Sequence, residues 1–165
     1  MKELILLRHA KSDWDDLRLP DHDRPLNARG ERDAPKMALW LKSQIDAPDM
    51  VIVSTATRAR DTADKFIKAF GISEDNVVRT RDVYQATVES LIDLLEWIPP
   101  ADASSVMVVG HNPTMTMMID ALTSERIDNM PTCSAAVIRF ADATSWKGLT
   151  NGTLALFATP KGLRE

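Results

Sequence analysis

ELILLR, residues 3–8, is a short apolar run that ends in an arginine, and runs of the same character recur as MVIVS at 50–54 and SVMVVG at 105–110. Continuous apolar runs of this length read as strands buried on both faces, the state of strands in a covered parallel sheet. Between them the apolar residues change period. Ala34, Met37, Ala38 and Leu41 fall three and four apart, as do Ala59, Ala63, Phe66, Ile67 and Phe70, and then Val88, Leu91, Ile92, Leu95 and Ile98. Each stretch therefore presents one apolar face, as a helix does. A fourth helix is expected to start at Asn112, with Asn as N-cap, Pro113 at the first helical position, and Met115, Met118, Ile119 and Leu122 turned inward. The last third differs: SAAVIRF at 134–140 and GTLALFAT at 152–159 are strand-like and joined by a polar, turn-rich segment, as in an antiparallel hairpin. The pattern predicts an α/β three-layer sandwich: a mostly parallel central sheet with helices on both faces and an antiparallel C-terminal hairpin.

A length of 165 residues with 44% hydrophobic and 27% charged content suits one domain over residues 1–165 with a real core. Twenty Lys and Arg stand against 24 Asp and Glu, a net charge of −4, so no global positive field exists to hold a nucleic acid. Any anion site must be local. Cys133 is the only cysteine and forms no internal disulfide. The N-terminal apolar run is four residues, and no stretch approaches the roughly 18 apolar residues of a membrane span. The expectation is a soluble cytoplasmic protein without internal repeats, low-complexity tracts or linkers.

Two of the three histidines, His9 and His111, directly follow expected strands, and Arg8 precedes His9. In open α/β sheets ligands bind beyond the carboxyl ends of the strands, so the two imidazoles share one crevice if their strands are neighbours. The third strand ends at Ser54 and leads into Arg58, expected in the first turn of the next helix. Guanidinium forks match phosphate oxygens bidentately, and a neutral imidazole is a competent nucleophile toward phosphorus. Free amides at the start of the Asn112 helix would add a further anion-seeking feature. One histidine can attack in line while the other donates to a phosphate oxygen. Each residue alone reads more simply as a satisfied buried histidine or a surface ion-pair donor. Taken together at three strand ends they favour phosphoryl transfer.

Four segments carry a family resemblance: LILLRHAKSDW, DRPLNARGERDA, VIVSTATRARDTA and VMVVGHNPTM. Together they resemble the histidine phosphatase superfamily, also called phosphoglycerate-mutase-like, over nearly the whole chain, and most closely its small SixA-type branch of phosphohistidine phosphatases. The resemblance implies that His9 is the nucleophile that becomes a phosphohistidine intermediate, with Arg8 a phosphate clamp. It implies that Arg58 and His111 are phosphate ligands, that Arg24 lies close to the phosphate pocket, and that the backbone of Asn112 completes it. No cofactor and no metal are implied, and the partner is a phosphorylated protein or a small phosphorylated substrate, with no membrane and no nucleic acid. Two departures stand out. Ala10 occupies the place of the usual Gly after Arg-His, a change that restricts the backbone slightly and that activity is expected to survive. No convincing match exists for the acidic residue that protonates the leaving oxygen in mutases and acid phosphatases; RDVYQATVES offers Asp82 and Glu89 but sets Gln85 beside Tyr84. A protonated phosphoimidazole needs less help to depart than an alkoxide, so the missing acid favours phosphohistidine.

Cys133 to Arg139 matches the C-x5-R spacing of cysteine-dependent phosphatases, but CSAAVIR lacks the glycines of a phosphate-cradling loop and reads as a strand. The acidic segment SDWDDLRLPDHD, with Asp13, Asp15, Asp16, Asp21, His22 and Asp23, has no EF-hand spacing and is expected to be a solvated rim anchored by Trp14 and Leu17 or Leu19. The helical methionines and the four tryptophans are read as core or rim packing. Two other functions stay open: a small-molecule phosphomonoesterase of the same superfamily, and a non-catalytic phosphate-binding signalling module.

Overall fold

The structure is a computed structural model that describes residues 1–164. The described residues form a six-stranded sheet in the order β3-β2-β4-β1-β5-β6. The strands are β1 (Lys2–Arg8), β2 (Met50–Ser54), β3 (Val77–Thr80), β4 (Ser105–Gly110), β5 (Ala135–Phe140) and β6 (Thr153–Ala158). The first four are mutually parallel, and β5 and β6 run antiparallel at one edge. The helices are α1 (Ala28–Gln44), α2 (Thr57–Phe70), α3 (Arg81–Tyr84), α4 (Val88–Trp97), α5 (Thr114–Leu122) and α6 (Pro160–Leu163).

Period-two alternation along each strand divides the core. Ile5 and Leu7 of β1 pack with Met37, Leu41 and Phe66 of α1 and α2, while Leu4 and Leu6 pack on the other face with Leu91, Leu95 and Ile119 of α4 and α5. Right-handed crossovers require this division. From β1 the chain steps through α1 and α2 toward the β3 edge, then returns through α3 and α4 to β4, so the direction of travel reverses and the helices change face. The strand β4 thereby lands between β1 and β2, pairing Arg8 with Gly110 and Val53 with Val109. Three strand ends are side by side.

The expected strands appear with at most two residues of difference at either end, and the apolar positions of the four helices face the core. Three expectations need correction. The edge strand β3 and the short α3 and α6 were not foreseen; VVRT is four residues long and half-exposed, too short to show a period. The fourth helix begins at Thr114, not directly after Asn112, and Pro113 precedes its first turn. The rim segment is not anchored by Leu17 or Leu19, which are exposed, as is Trp97 at the end of α4.

Candidate active site

His9 lies one residue past β1, and its amide continues the ladder by donating to the Gly110 carbonyl at 3.1 Å. On the other side Cys133 donates its amide to the carbonyls of Arg8 and His9. The backbone of the histidine is therefore fixed from both flanks. The His9 Nδ1 lies 2.7 Å from the Ala10 carbonyl, which can only accept, so Nδ1 carries the hydrogen and Nε2 presents its lone pair. Burial, with the charges of His111, Arg58 and Arg8 adding to it against the opposing Ala10 hydrogen bond, lowers its pKa from 6.5 to about 3. The imidazole is neutral at every physiological pH.

Ala10 fits where a glycine is usual. Its φ is not positive, its side chain is fully buried, and its amide donates to Thr62 Oγ1 at 2.9 Å. The same hydroxyl donates to the Arg58 carbonyl at 2.7 Å, tying α2 to the nucleophile segment. A close approach explains Gly30: an added Cβ would collide with the Lys11 carbonyl, against which the first turn of α1 presses. Asn27 caps that turn, its Oδ1 accepting from the Gly30 amide at 2.8 Å.

The rings of His9 and His111 lie 5.1 Å apart. His111 Nε2 is 2.8 Å from Ser54 Oγ at the end of β2. Because that oxygen already accepts the Ala56 amide, the arrangement that leaves no hydroxyl hydrogen idle has Ser54 donating to Nε2. The network thus assigns the His111 hydrogen to Nδ1, which is buried and without a partner. Burial and the charge of Arg58, partly offset by Asp21, lower the His111 pKa to about 4. Two further donors share the condition of Nδ1: Arg8 Nε and Arg58 Nε are also buried and unpaired. Arg8 is held by its Nη1, which donates to the Met130 carbonyl at 2.8 Å. Buried N–H groups are seldom left unsatisfied, and those of Arg8, Arg58 and His111 lie in the same pocket as the His9 lone pair, a donor set suited to an oxyanion.

Asp21 binds the mouth of this pocket together. Its Oδ2 accepts from Arg58 Nη2 at 2.9 Å and from Tyr84 Oη at 2.7 Å, and its backbone carbonyl accepts from Arg58 Nη1 at 2.6 Å. Oδ1 accepts from Arg24 Nε at 3.1 Å and Nη2 at 2.9 Å. Burial opposes ionisation of this carboxyl, yet hydrogen bonds from Tyr84, Arg24 and Arg58 outweigh it and hold the pKa well below the usual carboxylate range. Tyr84 sets its ring edge-on to His111 at 5.4 Å and to His22 at 4.8 Å, and His22 Nε2 lies 2.8 Å from Thr55 Oγ1.

Arg8, His9, Arg58 and His111 thus meet at three adjacent strand ends. Arg24 reaches them only through Asp21; its Nη1 donates to Ser12 Oγ at 2.6 Å and its plane is covered by Trp14 at 3.5 Å. The Asn112 side chain points away. Its Oδ1 accepts the Thr116 amide and hydroxyl, and its Nδ2 donates to Asn129 and Met130. The expected bank of free amides is correspondingly reduced, since the Met115 amide is spent on the His111 carbonyl and that of Thr116 on Asn112. Asp82 and Glu89 are exposed and pair with no pocket residue among those described. Ser54, Thr62, Asp21 and Tyr84 were not singled out from the sequence. The first two stand in the segment VIVSTATRARDTA, and Asp21 stands in the acidic segment expected to be a solvated rim.

Cys133 is fully buried, and burial pushes its thiol up to about 12, with Asp33 adding to the effect, while Arg139 pairs outside with Glu3 at 2.9 Å. The C-x5-R spacing is therefore one of sequence alone. Among the described residues no group of three or more His, Cys, Asp or Glu side chains is placed to hold a metal ion. No helix among them is long and apolar enough to cross a membrane.

The model of the histidine phosphatase superfamily (branch 1) matches residues 4–83. An uncharacterized chloroplastic protein of Arabidopsis thaliana is 37% identical over 153 residues, spanning 88% of this chain and 69% of that one. The solved structure of the SixA protein of Agrobacterium tumefaciens, assigned to the phosphohistidine phosphatases, superposes with a TM-score of 0.81 at 30% identity, covering 96% of this chain and 98% of that one. A homologue of the phosphohistidine phosphatase SixA in Haemophilus influenzae is 25% identical over 130 residues, 74% of this chain and 78% of that one. With this fold, two histidines and two arginines at its switch point and these relatives, the chain belongs to the histidine phosphatase superfamily. Within it, the likeness is to the small SixA-type members, and the activity is that of a phosphatase.

Proposed function

We propose that the protein removes phosphate from phosphohistidine in proteins, through a phosphohistidine intermediate on His9. The observation that carries the reading is the set of buried unpaired donors, Arg8 Nε, Arg58 Nε and His111 Nδ1, beside the free Nε2 of His9. The phosphate of the substrate sits among the three donors, with the Asn112 backbone amide as a further ligand. His9 Nε2 attacks phosphorus in line and the P–N bond to the substrate imidazole breaks, the departing ring leaving neutral if its other nitrogen was protonated. Arg8, Arg58 and His111 stabilise the equatorial oxygens as charge redistributes, and Arg24 acts through Asp21 by holding Arg58 in place. Water then attacks the phosphoenzyme, passes its proton to bulk solvent or to the leaving Nε2, and orthophosphate departs.

The choice of phosphoramidate over ester rests on the carboxyls. Asp82 and Glu89 face solvent, and Asp21 is held ionised, so none of these three supplies a proton to an alkoxide. The SixA-type relatives agree with that choice. A panel of phosphohistidine protein, phosphohistidine peptide, sugar phosphates and an aryl phosphate tests it: phosphohistidine protein is expected to turn over fastest. Faster hydrolysis of alkyl esters would favour the small-molecule phosphomonoesterase. Catalysis is expected to be metal-independent, so full activity in EDTA is predicted, and transient labelling of His9 by phosphate separates an enzyme from a binding module. The cytoplasm is the compartment we propose.

A further inference from the structure

Among the described residues Asp21 is the one carboxylate in direct contact with a pocket arginine, and its side chain is 49% exposed at the mouth, where a leaving group has to lie. It takes one hydrogen bond from each terminal nitrogen of Arg58, one of them through its backbone carbonyl, and so fixes the guanidinium while Nε and the second hydrogen of each terminal nitrogen stay available to a phosphate. It pairs with Arg24 as well. With Ser12 and the Asp13 carbonyl taking Nη1, little of that guanidinium remains for a ligand, and Trp14 covers its plane. Arg18, the other cation of the rim segment, is spent on Asp16. A phosphate bound to Arg58 and the Asp21 carboxylate therefore share one guanidinium, and the arginines that flank Asp21 in sequence are already paired; Arg81 of α3, over the Tyr84 ring at 5.3 Å, forms no ion pair among the described residues.

Resting on the phosphatase reading above, we infer that Asp21 is a specificity-determining residue: it selects phosphoryl donors whose leaving group is neutral or cationic, such as an imidazole, and discriminates against those whose leaving group carries a carboxylate. The mechanism is its single negative charge: set against Arg24 and Arg58, it leaves an incoming carboxylate a less positive mouth than the arginines alone would present. At a separation on the order of 10 Å near a protein surface, one charge changes relative transition-state binding by about tenfold.

The test compares phenyl phosphate with 4-carboxyphenyl phosphate, which differ in one anionic group, in the wild type, Asp21→Asn and Asp21→Glu. The readout is the ratio of the two kcat/KM values, so any general loss from misplacing Arg58 cancels. Asp21→Asn is expected to move the ratio about tenfold toward the carboxylated ester, Asp21→Glu to keep the wild-type ratio, and rising salt to narrow the wild-type ratio. An unchanged ratio in Asp21→Asn, with both substrates slowed alike, would overturn the inference and leave Asp21 a strut for Arg58. Calorimetric binding of phenylphosphonate and 4-carboxyphenylphosphonate gives the same ratio without turnover. It decides the matter even if Asp21→Asn is inactive, or if the wild type hydrolyses neither ester and the phosphatase reading itself fails.

Discussion

Acidification probes the two histidines together. An ordinary imidazole with pKa 6.5 is about 3% neutral at pH 5, whereas His9 at about 3 and His111 at about 4 remain almost wholly neutral there. The nucleophile of the folded protein is thus about 30-fold more available at pH 5 than a solvated histidine would be. Activity is expected to fall only at strongly acid pH, well below the usual histidine midpoint. The same shift carries a stability cost of known sign. Between the unfolded value of 6.5 and the folded values, the unfolded chain binds protons that the native pocket refuses, so stability is fully present above pH 6.5 and drains as pH falls through that window. At pH 5 each histidine accounts for about 2 kcal/mol, about 4 kcal/mol for the pair. Nitrogen-15 NMR of the imidazoles reads the protonation directly, free of the substrate's own ionisation, and urea unfolding at pH 7 and pH 5 reads the stability. A His9 midpoint between pH 6 and 7, or equal unfolding free energies at the two pH values, would refute the reasoning.

Other changes have separable outcomes. Ser54→Ala removes both the donor that fixes the His111 tautomer and the acceptor of the buried Ala56 amide; kcat is expected to fall about tenfold and the unfolding free energy by about 1–3 kcal/mol, and restoration of both by Ser54→Thr would mark the hydroxyl as the cause. Thr62→Val leaves the Ala10 amide buried without an acceptor and should lower unfolding free energy by about 1–3 kcal/mol in urea titrations. His9→Ala should abolish turnover while Cys133→Ala keeps it within about twofold; the opposite pattern would restore the cysteine chemistry that burial argues against.

The strands carrying the chemistry were legible because LILL, MVIVS and MVVG are continuous apolar runs, followed directly by Arg8 and His9, after three residues by Arg58, and directly by His111. Adjacency of β1, β4 and β2 was the condition that the sequence left open, since strand order depends on the crossovers and no local pattern encodes it. Asp21 and Tyr84 escaped notice for a related reason. They meet across 63 residues, and in sequence an aspartate among five in one segment looks like any other solvated acid. The start of α5 was misplaced because Asn-Pro reads as cap and first turn. Asn112 does cap, but from one residue farther back, accepting from Thr116.

The lacing of His9 between Gly110 and Cys133 bears on how such a pocket diversifies. The reactive nitrogen is set by ladder hydrogen bonds that belong to the sheet, so altering them dismantles the protein before it alters the reaction. The mouth is held differently, by side-chain bonds among Asp21, Arg24, Arg58 and Tyr84, none of which lies in a strand of the sheet. A duplicated copy can therefore change its clientele through substitutions in residues 11–27 and 81–90 while inheriting the chemistry intact.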